Sequence, residues 1–475
     1  MKTQLKHIII LSLIIIGLIS ACSKLSNNKE VESSAFSFPS VSTEVIAPDS
    51  IKAELESMLK QMRAVHPNQS MMTDYDELCR VKNEIKAQIN RPMNQLEVFR
   101  LYTLLNPVFA DAHNGIMLPK MSNQIKEAVE AGDRLFPLDV FIDKDFQLMA
   151  KASTHGIEPG TIIQSINGID AIEITTELEK HARGDNTDFR RNLLATRFAE
   201  YLWMHKGTAK EFTLGLKNGN NVEIRTLEGA TERPPHRTFP KPFNKDYTFD
   251  MLENDQVGYF KANTWYRTDG YEQFNALTDS IFNVLRTKKS KHLIIDVRKN
   301  GGGDDMMWIE GILPYIAKKK WQRMTHFLGR VREIDQAYPG RLGEVAIFDY
   351  YGEFEVSDRP KFDGDIYVIA GRQTYSSAIM FTSIIKDNEL GTIVGQETET
   401  LARGCSTGMM VYHDMNTTGI TAFTPQHWYQ RSTEGSCMTG IPTDIQLSDD
   451  PFNENQIVEL LIEKIMNKQR IHNTE

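Results

Sequence analysis

Two adjacent serines, Ser376 and Ser377, stand where an apolar run gives way to a helical pattern. Residues 366–370 read as a buried strand and residues 371–375 as a loop. A serine at a helix start lies beside unpaired backbone N–H groups and the positive end of the helix dipole, where an alkoxide or oxyanion could be stabilised. The commoner role of such a serine is a helix N-cap, and this stretch alone favours that role.

Three glycines, 301–303, follow a second apolar run and precede another helical pattern. Successive glycines let the backbone approach a ligand closely, with N–H groups pointing outward. The stretch is neither a P-loop nor a dinucleotide fingerprint, because no Gly-Lys-Ser/Thr and no GxGxxG is present. The glycines therefore indicate a strand–turn–helix unit and a place where N–H donors could gather.

His113 lies in a turn-rich stretch, residues 107–119, with Asp111 two residues before it. A lone histidine in a loop is usually a polar surface residue. Histidine is also the side chain that most often serves as a general base near neutral pH. The two interpretations stay open on this stretch alone.

The composition is that of an ordinary globular protein. The chain has 475 residues, of which 40% are hydrophobic and 25% are charged, which suggests two to four domains and a sizeable core. The net charge of -9 and the absence of a basic cluster argue against a nucleic-acid partner.

The N-terminus has the features of an export signal. Lys2 and Lys6 precede the apolar run 8–19, which ends in Ser-Ala before Cys22. The stretch looks like a bacterial lipobox, which implies a signal peptide over residues 1–21, cleavage before Cys22 and lipid attachment to that cysteine. A plain signal peptide or an N-terminal membrane anchor are the alternatives.

Three further cysteines are present, Cys79, Cys405 and Cys437. An exported compartment permits disulfides, and Cys405 and Cys437 could pair because they share the C-terminal region. None of the cysteine spacings is typical of a zinc site, and no HExxH is present. We therefore predict no metal and no cofactor.

Composition and periodicity divide the mature chain into a tether, two smaller domains and a larger core. The predicted boundaries are a tether over 22–48, an N-terminal helical domain over 49–131, a β-rich domain over 132–228, a linker over 229–250 and an α/β core over 251–475.

Within the β-rich domain, residues 156–168 read Gly-Ile-Glu-Pro-Gly-Thr-Ile-Ile-Gln-Ser-Ile-Asn-Gly. This stretch resembles a PDZ domain, with Thr161 where an acidic residue is usual, and it ends in a tight Asn-Gly turn. PDZ domains bind a peptide as an added strand at a sheet edge. A generic small β domain is the alternative.

Four motifs together resemble peptidase family S41, the C-terminal processing or tail-specific protease superfamily. They are LIIDVRKNGGG at 293–303, TYSSA at 374–378, IVGQET at 393–398 and GIPTD at 440–444. The resemblance implies a multidomain α/β protein with a ClpP/crotonase-like βα core, an N-terminal helical domain and a PDZ-like domain.

The resemblance aligns the nucleophile with Ser376, and Ser377 is the fallback. One branch of the family activates its serine with a downstream lysine, but no lysine lies between Lys386 and Lys464. The tricorn-like branch uses a histidine in a D-x-H stretch before the PDZ-like domain, which corresponds to His113. The resemblance therefore implies His113 as the base, and as the acid in the second half-reaction.

Glu434 is the residue that the resemblance offers for orienting the imidazole. The oxyanion hole would combine the N–H of Ser377 with a glycine N–H from Gly301 or Gly302.

We therefore predict an exported, lipid-anchored serine endopeptidase that cleaves peptides or proteins through an acyl-enzyme. The expected location is a bacterial cell envelope, facing the periplasm or the outside, with the membrane contacted through the lipid on Cys22. The alternative is a non-catalytic peptide- or lipid-binding surface lipoprotein on the same scaffold. Segment 396–404 favours that alternative, because a glycine-rich turn is expected there and is absent.

Overall fold

The structure is a computed structural model that describes residues 35–67, 72–219, 221–233, 242–266, 271–331, 343–349, 352–398, 409–431 and 440–472. Several predicted features fall outside these residues: the signal peptide over 1–21, Cys22, Cys405, Glu434 and Cys437. Cys79 lies inside them as an exposed free thiol.

The helices lie mostly in the N-terminal third and around the central sheet. They are α1 (Pro48–Val65), α2 (Tyr75–Gln88), α3 (Gln95–Tyr102), α4 (Asn106–Phe109), α5 (Met121–Glu130), α6 (Ala171–Glu179), α7 (Thr187–Thr196), α8 (Phe198–His205), α9 (Phe243–Asp246), α10 (Tyr271–Lys288), α11 (Met306–Gly311), α12 (Leu313–Ile316), α13 (Ser377–Asp387) and α14 (Gln456–His472), with a 3₁₀ turn at Thr103–Leu105.

The strands are short and form several sheets. They are β1 (Gly115–Met117), β2 (Val140–Ile142), β3 (Leu148–Ala150), β4 (Ile162–Ile166), β5 (Ile169–Asp170), β6 (Glu211–Asn218), β7 (Asn221–Glu228), β8 (Tyr247–Leu252), β9 (Val257–Ala262), β10 (His292–Asp296), β11 (Trp321–Gln322), β12 (His326–Arg330), β13 (Val345–Asp349), β14 (Glu353–Phe354), β15 (Asp365–Ala370), β16 (Thr392–Gly395), β17 (Met410–Asp414), β18 (Thr421–Pro425), β19 (His427–Gln430) and β20 (Ile445–Gln446).

The chain forms two compact units, each built from separate stretches of sequence. The first contains residues up to Val41 together with Met121–Leu178 and Thr196–His236. The second contains Ser42–Lys120, Glu179–Ala195 and the chain from Arg237 onward. The early helices α1 to α4 thus belong to the same unit as the α/β core.

The first unit is organised on the antiparallel sheet β2-β3-β4-β6-β7, with β5 paired to β4. The predicted Asn-Gly turn joins β4 to β5, and both Asn167 and Gly168 have positive φ, as a type I′ turn requires. Trp203 is fully buried and donates its indole N–H to Asp133. The PDZ interpretation of this unit stays a prediction.

The second unit is organised on a six-stranded sheet of order β20-β16-β15-β10-β9-β8. The β9, β10, β15, β16 and β20 pairings are parallel, and β8 runs antiparallel at the edge. Parallel sheets are usually covered on both faces, which explains the nearly continuous apolar runs of β10 and β15. The mixed α/β class expected from the sequence is confirmed.

Successive side chains of each central strand enter two different cores, because strand side chains alternate between the faces of a sheet. Leu293 and Ile295 of β10 belong to one core together with Phe381 of α13. Ile294 belongs to the opposite core together with Leu461 of α14. Helix α13 is therefore fixed against one face of the sheet, with its N-terminus at the carboxyl edge of the strands.

Two prolines set helix boundaries. The helical segment after the three glycines is divided at Ile312, because Pro314 follows in the first turn of α12 and proline cannot continue a helix. Helix α1 begins at Pro48, since proline is well suited to the first helical position.

Among the residues that the structure covers, no helix is both long and apolar enough to cross a membrane. In the same part of the chain no group of three or more histidine, cysteine, aspartate or glutamate side chains could hold a metal ion.

Candidate active site

Ser376 lies between β15 and α13, at the carboxyl edge of the central sheet. Its backbone has φ 54° and ψ -122°. A non-glycine residue in such a conformation costs on the order of 1–3 kcal/mol and persists only where the surroundings impose it. The backbone on both sides is fixed, because the Tyr375 N–H donates to the Asn300 carbonyl oxygen (3.0 Å) and the Met380 N–H donates to the Ser376 carbonyl oxygen (3.1 Å). The outlier therefore singles out Ser376 within its loop.

The Ser376 side chain does not cap α13, although the residue occupies the N-cap position. Its Oγ instead lies 3.0 Å from Nε2 of His113, which is 263 residues away in the chain. This is the distance that proton transfer between a serine and a general base requires. The capping interpretation is therefore wrong for this side chain, and the structure brings Ser376 and His113 together.

His113 is held by a tight turn that ends α4. Ala110 adopts the left-handed conformation at the helix C-cap, with φ 49°. Oδ1 of Asp111 then accepts the backbone N–H of His113 (2.8 Å), and the Asp111 carbonyl oxygen accepts the N–H of Asn114 (3.0 Å). Strand β1 follows at once and pairs with β18. The turn therefore fixes the backbone from which the imidazole projects.

The imidazole of His113 is 6% exposed and stacks on the Tyr375 ring, with centroids 4.6 Å apart. Burial lowers the His113 pKa to about 4, because a buried site disfavours the charged ring. The carboxylate of Asp111 acts in the opposite direction, and the positive charge of Arg183 lowers the pKa further. The ring is therefore neutral at physiological pH and can accept a proton at Nε2.

Asp111 is itself buried and accepts a second hydrogen bond, from Nε2 of His66 (3.0 Å). Burial alone would raise the Asp111 pKa, but the His66 hydrogen bond, the charges of both histidines and the His113 N–H together hold it below the ordinary value. The charged Asp111 carboxylate thus accepts the backbone N–H of His113. Sequence reasoning missed His66, because nothing in its local pattern distinguishes it from other residues at the end of α1.

The pH dependence of activity follows from the buried imidazole. Nε2 must be unprotonated to accept the Ser376 proton, so kcat/KM should hold down to about pH 4 and fall below it. The free energy of unfolding decreases as pH falls from 6.5 to about 4, because over that range the unfolded chain binds a proton that the folded chain does not. The pH–rate profile is therefore recorded together with tryptophan fluorescence. An acid limb near pH 6.5 in protein that is still folded would contradict this prediction.

Ser377 is not free to act as a nucleophile. Its side chain is buried, its Oγ donates to Oδ1 of Asp305, and it accepts the indole N–H of Trp308 at 2.9 Å. The backbone N–H of Ser377 is at the first position of α13, where a helix provides no acceptor of its own. The structure therefore separates the two serines: one side chain reaches the histidine and the other is held in the interior.

The glycine stretch packs directly against the serine loop. The N–H of Gly302 donates to Oδ1 of Asn300 (2.9 Å), and the Gly302 carbonyl oxygen accepts the N–H of Trp265 (2.8 Å). Within the described residues the Gly301 N–H donates to no acceptor. Of the two glycines predicted for the oxyanion hole, Gly301 therefore keeps an unused donor, while the Gly302 N–H is already engaged.

A methyl group at Gly302 should disrupt the site. A Cβ there would lie 2.6 Å from Cβ of Ser376 and 3.0 Å from the Ser377 nitrogen, and the residue has φ +96°. We expect Gly302→Ala to lower kcat/KM at least about 100-fold and to destabilise the protein by about 1–3 kcal/mol. Both are measured, by peptide cleavage and by urea unfolding.

Gly301→Ala is the matched control for Gly302→Ala. A Cβ at Gly301 meets no atom within 4 Å, and the substitution leaves its backbone N–H in place. We expect activity within a few-fold of wild type and little change in stability. Equal losses in the two variants would refute the close approach of Gly302 to the serine.

The predicted third catalytic residue, Glu434, lies outside the described residues, so its role stays a prediction. None of the described residues hydrogen-bonds Nδ1 of His113. The arrangement that is described comprises a strained serine, a neutral histidine at 3.0 Å and a helix N-terminus beneath the serine. Such a set suits nucleophilic attack by a serine on an acyl group.

Comparison with known proteins connects this arrangement to a family. Residues 256–447 match the model of peptidase family S41. The match includes Ser376 and the glycine stretch but not His113. No curated protein gives a significant match to the sequence.

Solved structures share the fold over most of the chain. Mature CPAF complexed with lactacystin aligns with a TM-score of 0.62 at 14% sequence identity, covering 90% of this chain and 100% of the other. A crystal structure of mature CPAF aligns with a TM-score of 0.60 at 13% identity, covering 86% and 94%. At these identities the likeness is one of fold. Residues 256–447 of this chain are therefore similar to peptidase family S41, and this similarity supports a serine-type peptidase.

Proposed function

We propose that the chain is an exported, lipid-anchored endopeptidase in which Ser376 attacks the scissile carbonyl and His113 acts as the base. The observation that carries this proposal is the 3.0 Å contact between Ser376 Oγ and His113 Nε2, made by a serine with a strained backbone. The substrate is polypeptide, as for peptidases of this family.

The proposed acyl-enzyme cycle uses these groups in turn. Neutral His113 takes the hydroxyl proton as Ser376 Oγ bonds to the carbonyl carbon, and the carbonyl oxygen becomes an oxyanion. The N–H of Ser377 and a glycine N–H, for which Gly301 has the unused donor, stabilise that charge. The imidazolium then protonates the leaving amine, and the amide C–N bond breaks. Water, deprotonated by the same imidazole, hydrolyses the ester and restores the serine.

The proposal assigns substrate recognition or gating to the PDZ-like region over residues 132–228. In that role the region would take a substrate segment as an added strand. If the region binds the terminal carboxylate, a peptide with a free C-terminus should have a lower KM than the same peptide with an amidated C-terminus.

The proposal also includes membrane attachment in a bacterial cell envelope. Its support is the sequence Ser-Ala-Cys22 after the apolar run 8–19, with Lys2 and Lys6 before it. In cells that process lipoproteins, labelled fatty acid should be incorporated into the wild-type chain and not into Cys22→Ala. Equal labelling of both proteins would contradict the anchor.

Labelling with a fluorophosphonate tests the central proposal. The probe reacts with an activated serine, and we expect one adduct, mapped by mass spectrometry to the peptide that contains Ser376. No adduct on folded protein with several such probes would favour the non-catalytic peptide- or lipid-binding lipoprotein. An adduct on a serine other than Ser376 would refute the assignment of the nucleophile.

A further inference from the structure

A polar cluster surrounds the side chain of Ser377, the residue after the nucleophile, and the catalytic cycle does not use these side chains. We define the Asp305 cluster as Ser377, Asp305, Trp308 and Arg323. Asp305 binds Ser377 Oγ through Oδ1 and Arg323 through Oδ2. Trp308 donates its indole N–H to the same Ser377 Oγ.

The cluster joins the two segments that carry the expected oxyanion donors. Ser377 begins α13 and carries one backbone donor, while Asp305 and Trp308 stand at the start of α11, directly after the glycine stretch. Ser377 Oγ thus receives one hydrogen bond from this segment and donates one to it. A displacement of either segment would break at least one of these bonds.

Burial makes the cluster a fixed connection rather than a surface contact. Ser377 is 3% exposed and Trp308 is fully buried. The Asp305 and Arg323 side chains are 17% and 20% exposed, and the guanidinium also lies over the ring of Tyr429, 5.5 Å from its centroid. A hydrogen bond from a buried hydroxyl to a paired carboxylate is short and directional, and it costs free energy to leave unmade.

The neighbouring carboxylate has a different set of partners. Asp304 accepts the hydroxyl of Tyr271 through Oδ2 and the backbone N–H of Met306 through Oδ1. It makes no contact with Ser377. Two adjacent aspartates therefore offer a matched comparison, in which only Asp305 reaches the residue after the nucleophile.

We propose that Asp305 and Ser377 are positioning residues that set the distance between the two halves of the oxyanion hole. The inference rests on the proposed peptidase function and deepens it: the side chain of Ser377 is used to hold its own backbone N–H in place against the glycine segment. Arg323 pairs with the Asp305 carboxylate and orients it, and Trp308 fixes the rotamer of Ser377.

The test measures kcat and KM for Asp305→Asn, Ser377→Ala and the double variant. A displaced donor weakens binding of the transition state more than binding of the substrate. We expect kcat to fall about 10- to 100-fold with little change in KM. This loss in kcat is smaller than the loss expected when an oxyanion-hole donor is removed outright. The double variant should lose no more than the worse single variant, because both substitutions break the same connection.

Two further readouts separate positioning from general damage. A peptide aldehyde forms a tetrahedral adduct with the serine, and its affinity should weaken by about the same factor as kcat. The affinity of the corresponding alcohol, which forms no such adduct, should stay constant. The acid limb of the pH–rate profile should not move, because the contact between His113 and Ser376 is untouched. Two variants serve as controls and should retain wild-type kcat. The first is Asp304→Asn. The second is Ser383→Ala, at a buried serine later in α13 whose hydroxyl has no partner among the described residues.

The outcomes distinguish this inference from the proposed function. Wild-type protein that neither cleaves peptides nor reacts with fluorophosphonates would remove the proposed function itself. Active wild type with unchanged kcat in Asp305→Asn and Ser377→Ala would overturn only the positioning role. Additive losses, or an equal loss in aldehyde and alcohol affinity, would also overturn it, because they indicate general damage to the site.

Discussion

Replacing Ser376 with alanine is expected to lower kcat/KM for a peptide substrate by about 10⁴- to 10⁶-fold, the range seen when a catalytic serine is removed. The physical reason is the loss of the hydroxyl oxygen that lies 3.0 Å from His113 Nε2 and would form the acyl bond. Alanine accepts the same φ of 54° with a similar strain, so the fold should persist. Steady-state cleavage and thermal unfolding are measured side by side.

A surface serine provides the control for Ser376→Ala. Ser280 lies on the exposed face of α10, and Ser280→Ala should retain wild-type kinetics and stability. Residual activity in Ser376→Ala above about one thousandth of wild type would show that another residue attacks the substrate. A contaminating peptidase is excluded if the residual activity elutes together with the variant protein in size-exclusion chromatography.

Replacing His113 with glutamine is the second large effect, with an expected loss in kcat of about 10⁴- to 10⁶-fold. Glutamine can still hydrogen-bond the Ser376 hydroxyl, but it has no basic nitrogen to accept the proton. The substitution also removes the ring that stacks on Tyr375, so a modest loss of stability accompanies it. Single-turnover kinetics measure the acylation step directly.

The control for His113→Gln is His155→Gln, at an exposed turn. It should leave the kinetics unchanged. The comparison with Ser376→Ala is also informative, since removing both members of a catalytic pair costs about as much as removing one. If His113→Gln cleaved peptides at near wild-type rate while Ser376→Ala were inactive, the base would have to be a different residue.

Local chemistry explains what could be predicted from the sequence. A parallel strand flanked by glycine turns and amphipathic helices has a recognisable pattern, so the strand predicted over residues 366–370 agrees with β15 to within one residue at each end. The family resemblance indicates where a lysine base would lie, and the interval between Lys386 and Lys464 contains no lysine. The family of the core region followed from the order of these motifs.

Long-range geometry decided the rest. Pattern alone favoured a helix cap for Ser376 and left His113 open between a surface role and a general base. Only the packing of a turn against a loop 263 residues later brings the two side chains to 3.0 Å. Neither the partners of Ser377 nor the contact between His66 and Asp111 has a local signal, because both depend on which elements meet in the core. Sequence periodicity determines which face of an element is buried. The tertiary structure alone determines which residues that face contacts, and in this chain those contacts decide which of the two serines lies against His113.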